Sequence, residues 1–474
     1  MANSGTAEPP AFGPGVLEDT LRGLLGRTHD GSCDRSSDRS SDGASDGALH
    51  EPLPPLAVAF SGGADSTALL HAAASLPGCR VRALHVDHRL QAESADWAEH
   101  CVRAAAALGV ECRVLRADIT REAIDAAGVE GAARQARYRL LAAALEPGEC
   151  LLTAQHRQDQ LETILLQLFR GAGLPGLAAM PGAAPFGAGR LLRPLLERGR
   201  EELCDYLRAR GVDWLEDPAN SDPRFDRSFL RREIVPRLLA RWPAADRNAA
   251  RSAGHLAEGA GLLRQLAAAD LDRCDAGEGR LDAGRLRRLP RARQGNALRH
   301  WLRSAGCRAP DARHLERLLA EVVAGPGEQP RLRLGEAEIR RFRDRLYLLP
   351  GEPGEIPSGP LALAAGVMLA LPGGLGRLAL RPGASTGLDP ALVAGGCEVR
   401  FRSGGESLAP AADRPARRLK QLLREEGIVP WMRGRLPLVY CGDELVAVAD
   451  LWVAAHRRRE GGVAVVWKDR PPLY

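Results

Sequence analysis

The residues with the strongest claim on chemistry stand in one short stretch, AFSGGADSTALLH, at positions 59–71. An apolar run leads in and a helix-like run leads out. Ser61, Gly62, Gly63, Ala64, Asp65 and Ser66 occupy the corner between them. Glycines at a strand-to-helix corner let successive main-chain N–H groups converge, and the positive end of the helix strengthens their field. That is a cradle for phosphate. It is not a phosphate loop of the G-K-[ST] type, because the chain has lysine only at Lys420 and Lys468. A carboxylate inside such a cradle repels phosphate unless a divalent cation lies between them, so Asp65 implies Mg²⁺ shared with phosphate oxygens. A second pair of acids, Asp159 and Glu162, lies at i and i+3 in QDQLETILLQLFR, hence on one helix face. Two carboxylates together suit a substrate with two amino groups. Read without its surroundings, the same pair is an exposed acidic face.

These residues need elements to hold them. From position 55 the chain alternates regularly: LAVAF, VRALHVDH, ECRVLRAD and ECLLTAQH read as strands, with helical spacing after each. Strict alternation predicts a doubly wound parallel α/β sheet, whose right-handed crossovers put every strand's carboxyl end on one rim. A helix is also expected at 15–27, ahead of a polar Gly/Ser/Asp-rich insertion at 28–50 that cannot bury enough apolar surface to fold. Residues from 225 to about 325 have helical periodicity and no strand signal. Beyond them come short runs broken by Gly and Pro, a β-rich pattern with one helix at 415–426 opened by Pro415 and ended by Gly427. The expected domains are therefore 1–54, an extension; 55–224, the α/β catalytic domain; 225–330, helical; and 331–474, small and β-rich.

Composition narrows the classes. Of 474 residues, 45% are hydrophobic and 26% charged, as in an ordinary globular protein, and aromatics at 4% are too few for binding single strands mainly by stacking. Arginine supplies nearly all the positive charge, which suits phosphate-bearing polymers. The ten cysteines never form C-x-x-C, so spacing gives neither a zinc site nor a disulfide framework, and a reducing cytoplasm fits. No run is long and apolar enough for a membrane span.

SGGADS resembles the pyrophosphate-binding loop of the N-type ATP pyrophosphatases, the PP-loop superfamily, which cut ATP between its α- and β-phosphates. Within it, the chain is similar to the tRNA(Ile)-lysidine synthases over roughly 55–240 and 397–455. The similarity rests on HVDHRL, ARQARY, AQHRQDQLETILLQLFRGAGLPGLAAM, EDPANSD and LKQLLREEGIVPWMRGRLPLVY. Gln155 and Gln158 depart from the family pattern, which has a histidine and an aspartate there, and Ser228 stands where Arg-Asn is common. The resemblance implies a ligase that uses ATP and L-lysine to convert the wobble cytidine of a tRNA(Ile) with CAU anticodon into lysidine, releasing AMP and pyrophosphate. It also implies that Asp159 and Glu162 receive lysine, that Ser61 to Ser66 bind ATP, and that Asp65 holds Mg²⁺. Arg134 or Arg137 of the ARQARY element would meet the developing phosphate charge.

For the tRNA, Arg417, Arg418, Lys420 and Arg433 form a basic set around the seam Leu419, Leu422 and Leu423, suited to backbone contact with an acceptor stem. Arg227 and Arg231 would approach the anticodon arm. The expected partners are thus tRNA(Ile), L-lysine and ATP, with a homodimer open and no membrane. Two rivals remain at this point. A tRNA thiolase would want paired cysteines, and an inactive tRNA-binding protein would have lost Asp65, Asp159 or Glu162.

Overall fold

The computed structural model describes residues 11–26, 52–89, 91, 93–216, 226–325, 327, 329–351 and 354–474. The 28–50 insertion, and EDPANSD after Glu216, lie outside the described residues. The chain divides into two compact units, residues 1–263 and 264–474.

In the first unit, helix α1 (Pro14–Gly26) precedes strand β1 (Leu56–Ala59), α2 (Ala64–Ala74), β2 (Val81–Asp87), α3 (Ser94–Ala107) and β3 (Glu111–Arg116). There follow α4 (Arg121–Ala144), β4 (Cys150–Leu152), α5 (Arg157–Phe169), α6 (Leu174–Leu177), β5 (Ala183–Phe186), β6 (Gly189–Leu192) and α7 (Arg200–Arg208). The sheet order is β3-β2-β1-β4-β6-β5, parallel throughout except for the edge strand β5. The expected doubly wound fold is present. Strand side chains alternate between two cores, as the period of two requires. Leu56 and Val58 face α1, α2 and α7 with Leu17, Leu69 and Leu203, while Ala57 joins Leu84, Leu141 and Leu151 beneath α4. Helix α4 starts nine residues earlier than the EGAARQARY run at 130 suggests, because Thr120 caps it and Gly128 (φ +71) absorbs a kink. The unit continues through α8 (Asp226–Phe229), a π-helical turn (Leu230–Ile234), α9 (Val235–Arg241) and the first part of α10 (Ala245–Cys274), which runs past the border at residue 263.

The order matters for function. Strand β1 leads to β2 on one side, whereas β4 lies on its other side, so β1 and β4 flank the point where the winding reverses. Loops leaving the carboxyl ends of two such strands form the crevice in which these sheets bind ligands. The glycine loop follows β1, and the acidic helix follows β4.

The second unit opens with β7 (Leu281–Asp282), α11 (Ala283–Arg287), α12 (Arg291–Ser304) and α13 (Ala312–Arg317), which runs into a π-helical turn (Leu318–Val323). The strands β8 (Arg331–Leu334), β9 (Ala337–Phe342) and β10 (Arg345–Pro350) then form an antiparallel sheet β7-β10-β9-β8. Strand β7 lies inside the region read as free of strands. A two-residue strand carries no periodic signal, and its partner β10 is over sixty residues away. Leu286, Leu298, Leu318 and Val322 pack with Ile339 and Leu346, so one core spans residue 330, where sequence alone puts a domain border.

The rest comprises β11 (Leu361–Leu363), β12 (Met368–Ala370), β13 (Arg377–Pro382), β14 (Thr386–Leu388), α14 (Pro390–Ala394), β15 (Cys397–Arg400), β16 (Ser407–Leu408) and β17 (Arg417–Arg418). It ends with α15 (Leu419–Glu425), β18 (Leu438–Cys441), β19 (Glu444–Val448), β20 (Trp452–Val453), β21 (Arg458–Glu460) and β22 (Val463–Lys468). Two antiparallel sheets result, β11-β15-β18-β19-β20 and β12-β13-β22-β14-β21. Helix α15 begins at Leu419, not at Pro415, because Arg417 and Arg418 are extended and pair with Leu408 and Ser407. Gly427 (φ +86) follows its end as expected. Cys397 and Cys441 are bonded between neighbouring strands, which corrects the expectation of no disulfide. Forty-four positions apart, they carry no local signature. No described helix is long and apolar enough to cross a membrane.

Candidate active site

The loop after β1 is held in its shape by its own side chains. Ser66 Oγ donates to Gly63 O (3.0 Å) and accepts from Ser61 N (3.2 Å), and Thr67 Oγ1 donates to Gly63 O at 2.9 Å. Gly62 adopts φ +82, and a Cβ there would stand 3.0 Å from Leu215 Cδ1 and 3.1 Å from Cys101 Sγ. Both conformation and space therefore require glycine. Gly63 is the N-cap of α2 and gives no side-chain cap, and among the described residues no side chain is seen to accept from the first amides of that helix. Those amides are placed to receive an anion, as the sequence expectation requires.

Asp65 stands in the first turn of α2. Its Oδ1 is buried and has no hydrogen-bond partner among the described residues, with Arg200 Nε 4.0 Å away. Among those residues no three His, Cys, Asp or Glu side chains group to hold a metal by themselves. Asp65 thus fits a Mg²⁺ that takes most of its shell from phosphate oxygens and water, the usual manner of that ion.

The acidic helix is more elaborate than its spacing reveals. Asp159 closes the first turn of α5 by accepting from the His156 main-chain N–H (2.9 Å), and Glu162 is fully buried, with 0% exposure. Both acids are gripped by two arginines. Arg227 donates from Nε to Glu162 Oε2 (2.7 Å) and from Nη2 to Asp159 Oδ1 (3.0 Å). Arg231 does the same from the other side, to Glu162 Oε1 (2.7 Å) and Asp159 Oδ1 (2.8 Å). Burial alone would raise the Asp159 pKa, but the charges of His156, Arg227 and Arg231 hold it below the usual carboxylate range. Sequence reasoning directs Arg227 and Arg231 toward RNA. The structure turns them onto the acids, because two buried carboxylates without counter-charge would be far costlier than two half-buried guanidiniums.

Loop and acids meet at a residue the sequence reading passed over. His156 Nε2 lies 3.6 Å from Asp65 Oδ2 and 3.6 Å from Asp159 Oδ2, with the side chain 3% exposed. Burial opposes its protonation, but the Asp65 bond and the two negative charges outweigh burial and raise its pKa. The signal is present in the sequence, where His156 lies inside AQHRQDQLET, three residues before Asp159. The departures at Gln155 and Gln158 acquire structural roles. Gln158 Oε1 accepts from Arg200 N (3.0 Å), tying α5 to α7, and Gln155 Oε1 accepts from Thr153 Oγ1 (2.5 Å).

Other expected residues are less engaged. Arg134 is exposed on α4, its guanidinium 5.0 Å from the Tyr138 ring centre, with no ion pair to the loop or the acids among the described residues. Arg417 is paired with Glu425 (2.9 Å), and Arg433 donates to Ile428 O (2.8 Å), whereas Arg418 and Lys420 are exposed.

At the end of β2, His85 Nδ1 meets Phe60 O at 2.9 Å, and Arg137 Nε donates to His88 Nε2 at 3.2 Å. Burial, then the charges of Arg137 and His85, push the His88 pKa down to about 4 from 6.5. Unfolded chains take up that proton near pH 6.5 and folded ones only near pH 4, so stability falls as pH drops through that window. His88→Gln is expected to remove about 1–2 kcal/mol of this acid sensitivity, allowing for solvent screening. Urea midpoints from pH 7 to pH 4 check this; parallel curves for both proteins would contradict it.

Sheet order, glycine loop and helix-borne acids define a PP-loop protein, and the family model described as PP-loop domain matches residues 46–238. Two further models, the TilS substrate binding domain and the TilS substrate C-terminal domain, match 281–347 and 397–467. Curated proteins named tRNA(Ile)-lysidine synthase are similar over most of the chain. That of Alkalilimnicola ehrlichii is 44% identical, covering 88% of this chain and 94% of its own. The Pseudomonas aeruginosa protein is 44% identical, at 88% and 93%, and that of Escherichia coli O157:H7 is 38% identical, at 87% and 96%. The chain belongs to the tRNA(Ile)-lysidine synthase family.

Proposed function

We propose that this protein joins lysine to C2 of the wobble cytidine of tRNA(Ile) with a CAU anticodon, using ATP and releasing AMP and pyrophosphate. The product reads AUA instead of AUG, and the tRNA changes identity from methionine to isoleucine. One observation carries the reading: His156 joins the phosphate loop to the carboxylate pair. An activating site and an amine site are then adjacent, as a two-step ligation through one base needs.

In the first step the C2 carbonyl oxygen attacks the α-phosphorus, and the α–β bond breaks. The amides at the start of α2 bind the departing pyrophosphate, and the loop presents them already ordered by Ser66 and Thr67. Mg²⁺ held by Asp65 would neutralise charge on the phosphate oxygens. Arg134 supplies further positive charge as the substrates close in. Adenylation turns a poor leaving group into a good one. In the second step the lysine ε-amine attacks C2 and AMP leaves.

Lysine carries two amines and one carboxylate. Its ammonium groups replace guanidiniums at Asp159 and Glu162, and its carboxylate takes an arginine so released. Arg227 and Arg231 pair with both acids until then. One of the two acids accepts the proton that the ε-ammonium must lose before attack. Arg417, Arg418, Lys420 and Arg433 of the β-rich region contribute backbone contacts to the tRNA.

The test is incubation with labelled lysine, ATP and transcripts. Label entering a tRNA(Ile) transcript with CAU, and absent from an elongator methionine tRNA with the same anticodon, supports the reading. ATP breakdown without incorporation would refute it.

A further inference from the structure

Strands β9 and β10 are joined by Arg343 and Asp344, with Phe342 opposite Arg345. Both turn residues have positive φ, +48 and +58. Two-residue turns of that kind favour Asn and Gly, and a bulky arginine there is strained. The chain accepts that strain at the mouth of a cavity of about 540 Å³. Five arginines line it, Arg287, Arg341, Arg343, Arg424 and Arg433, against one carboxylate among the described lining residues, Asp344.

That carboxylate is already engaged, since Arg287 Nη2 lies 3.0 Å from Asp344 Oδ2. Arg341 is buried and donates to the carbonyls of Val323 (2.8 Å) and Gly325 (2.5 Å), and among the described residues no acid pairs with it. Arg343 Nη2 donates to Arg424 O at 2.8 Å, which draws the turn onto α15. The guanidinium carbons of Arg343 and Arg433 stand 5.3 and 5.6 Å from the centre of the Phe342 ring. The ring is mostly buried and packs on Trp431 at 6.4 Å, so it fixes both arginines before any ligand arrives. Concentrated positive charge in a concave, low-dielectric wall attracts an anion strongly.

The space is far larger than one phosphate and falls in the range of pockets that hold a molecule the size of a nucleotide. Its concavity does not suit duplex RNA, which is read across a wide, shallow groove. Unpaired nucleotides instead stack on guanidinium planes and seat their phosphates in basic pockets. We propose that this cavity binds an unpaired end of the tRNA, with its phosphate on Arg343 and Arg424. The proposal rests on tRNA being the substrate. It adds a site that is separate in the chain from the PP loop and the acid pair. A free nucleotide offers the same chemistry, and the experiment separates the two sources.

Binding of the full chain to a tRNA(Ile) transcript is measured with and without its unpaired 3′ nucleotides, for the native protein and for Arg343→Gln with Arg424→Gln. Both residues are exposed, so the variant should fold, with an unchanged urea midpoint as control. Trimming the RNA is expected to weaken native binding about tenfold, and so is the double substitution with intact RNA. The slope of log K against log salt should fall by about 1.4 in the variant, two single-strand phosphate contacts. Trimming should cost the variant nothing more. Independent, multiplying losses would overturn the proposal, as would native protein binding both transcripts alike. If AMP or inorganic phosphate binds the native protein and not the variant while trimming leaves RNA binding unchanged, the cavity is a free-anion site and the assignment to RNA is wrong. Native protein that binds neither transcript would contradict the tRNA reading itself.

Discussion

Asp65→Asn is expected to lower AMP formation by about 10³-fold while tRNA binding changes less than about twofold. The substitution keeps the shape of the side chain and removes its charge from the first turn of α2. It leaves Gly62, Gly63 and the Ser66 bonds that shape the loop, and it leaves the basic surface of the second unit. The orphaned Oδ1 is why the effect should be large, since a buried carboxylate oxygen with no donor has little structural purpose. His156 loses a charged partner, but Asp159 Oδ2 stays 3.6 Å from Nε2, so the acidic helix keeps its anchor. Single-turnover assays with α-labelled ATP and filter binding check both halves. Equal losses of AMP formation and tRNA binding would refute the division of labour between loop and basic surface.

Glu162→Gln should produce a different failure. Removing one of two buried carboxylates leaves Arg227 and Arg231 facing Asp159 alone, an imbalance expected to cost about 2–4 kcal/mol of stability. Lysine transfer should fall by about 10²–10³-fold, because an amide neither holds an ammonium group nor accepts its proton. Formation of the adenylated base should survive to within about tenfold, since the phosphate loop is untouched. One equivalent of pyrophosphate per tRNA, released without lysine incorporation, is the expected signature. A parallel loss of pyrophosphate release and lysine transfer would mean that Glu162 serves the first step as well. Urea denaturation of the same variant reads the stability change separately.

The phosphate loop was legible because its requirements are local. Gly62 must adopt a left-handed conformation beside Leu215, and Asp65 must sit in the first turn of a helix. Such constraints write themselves into adjacent residues. Asp159 and Glu162 were legible for the same reason, as two acids one helical turn apart. What engages them was not. Arg227 and Arg231 stand 65 to 72 positions away from these acids, and only the tertiary fold brings them together. In sequence they read as arginines for the anticodon arm, in a chain rich in arginine. Strand β7 and the Cys397–Cys441 bond escaped for the same reason, since each is defined by a distant partner. The start of α15 was misjudged because Pro415 is a good first residue for a helix, yet Arg417 and Arg418 gain more as a ladder with Ser407 and Leu408.

His156 shows a different limit. Its block was visible, but nothing in its spacing shows that its ring nitrogen lies between two carboxylates. That contact unites the halves of the site, and it makes one bond cleavage the test of the whole account. The native protein should be mixed with tRNA(Ile), lysine and ATP labelled separately at the α- and γ-phosphates, and the products resolved. AMP and intact pyrophosphate, each in one-to-one ratio with lysine incorporated, are the predicted result. ADP with free phosphate would contradict it.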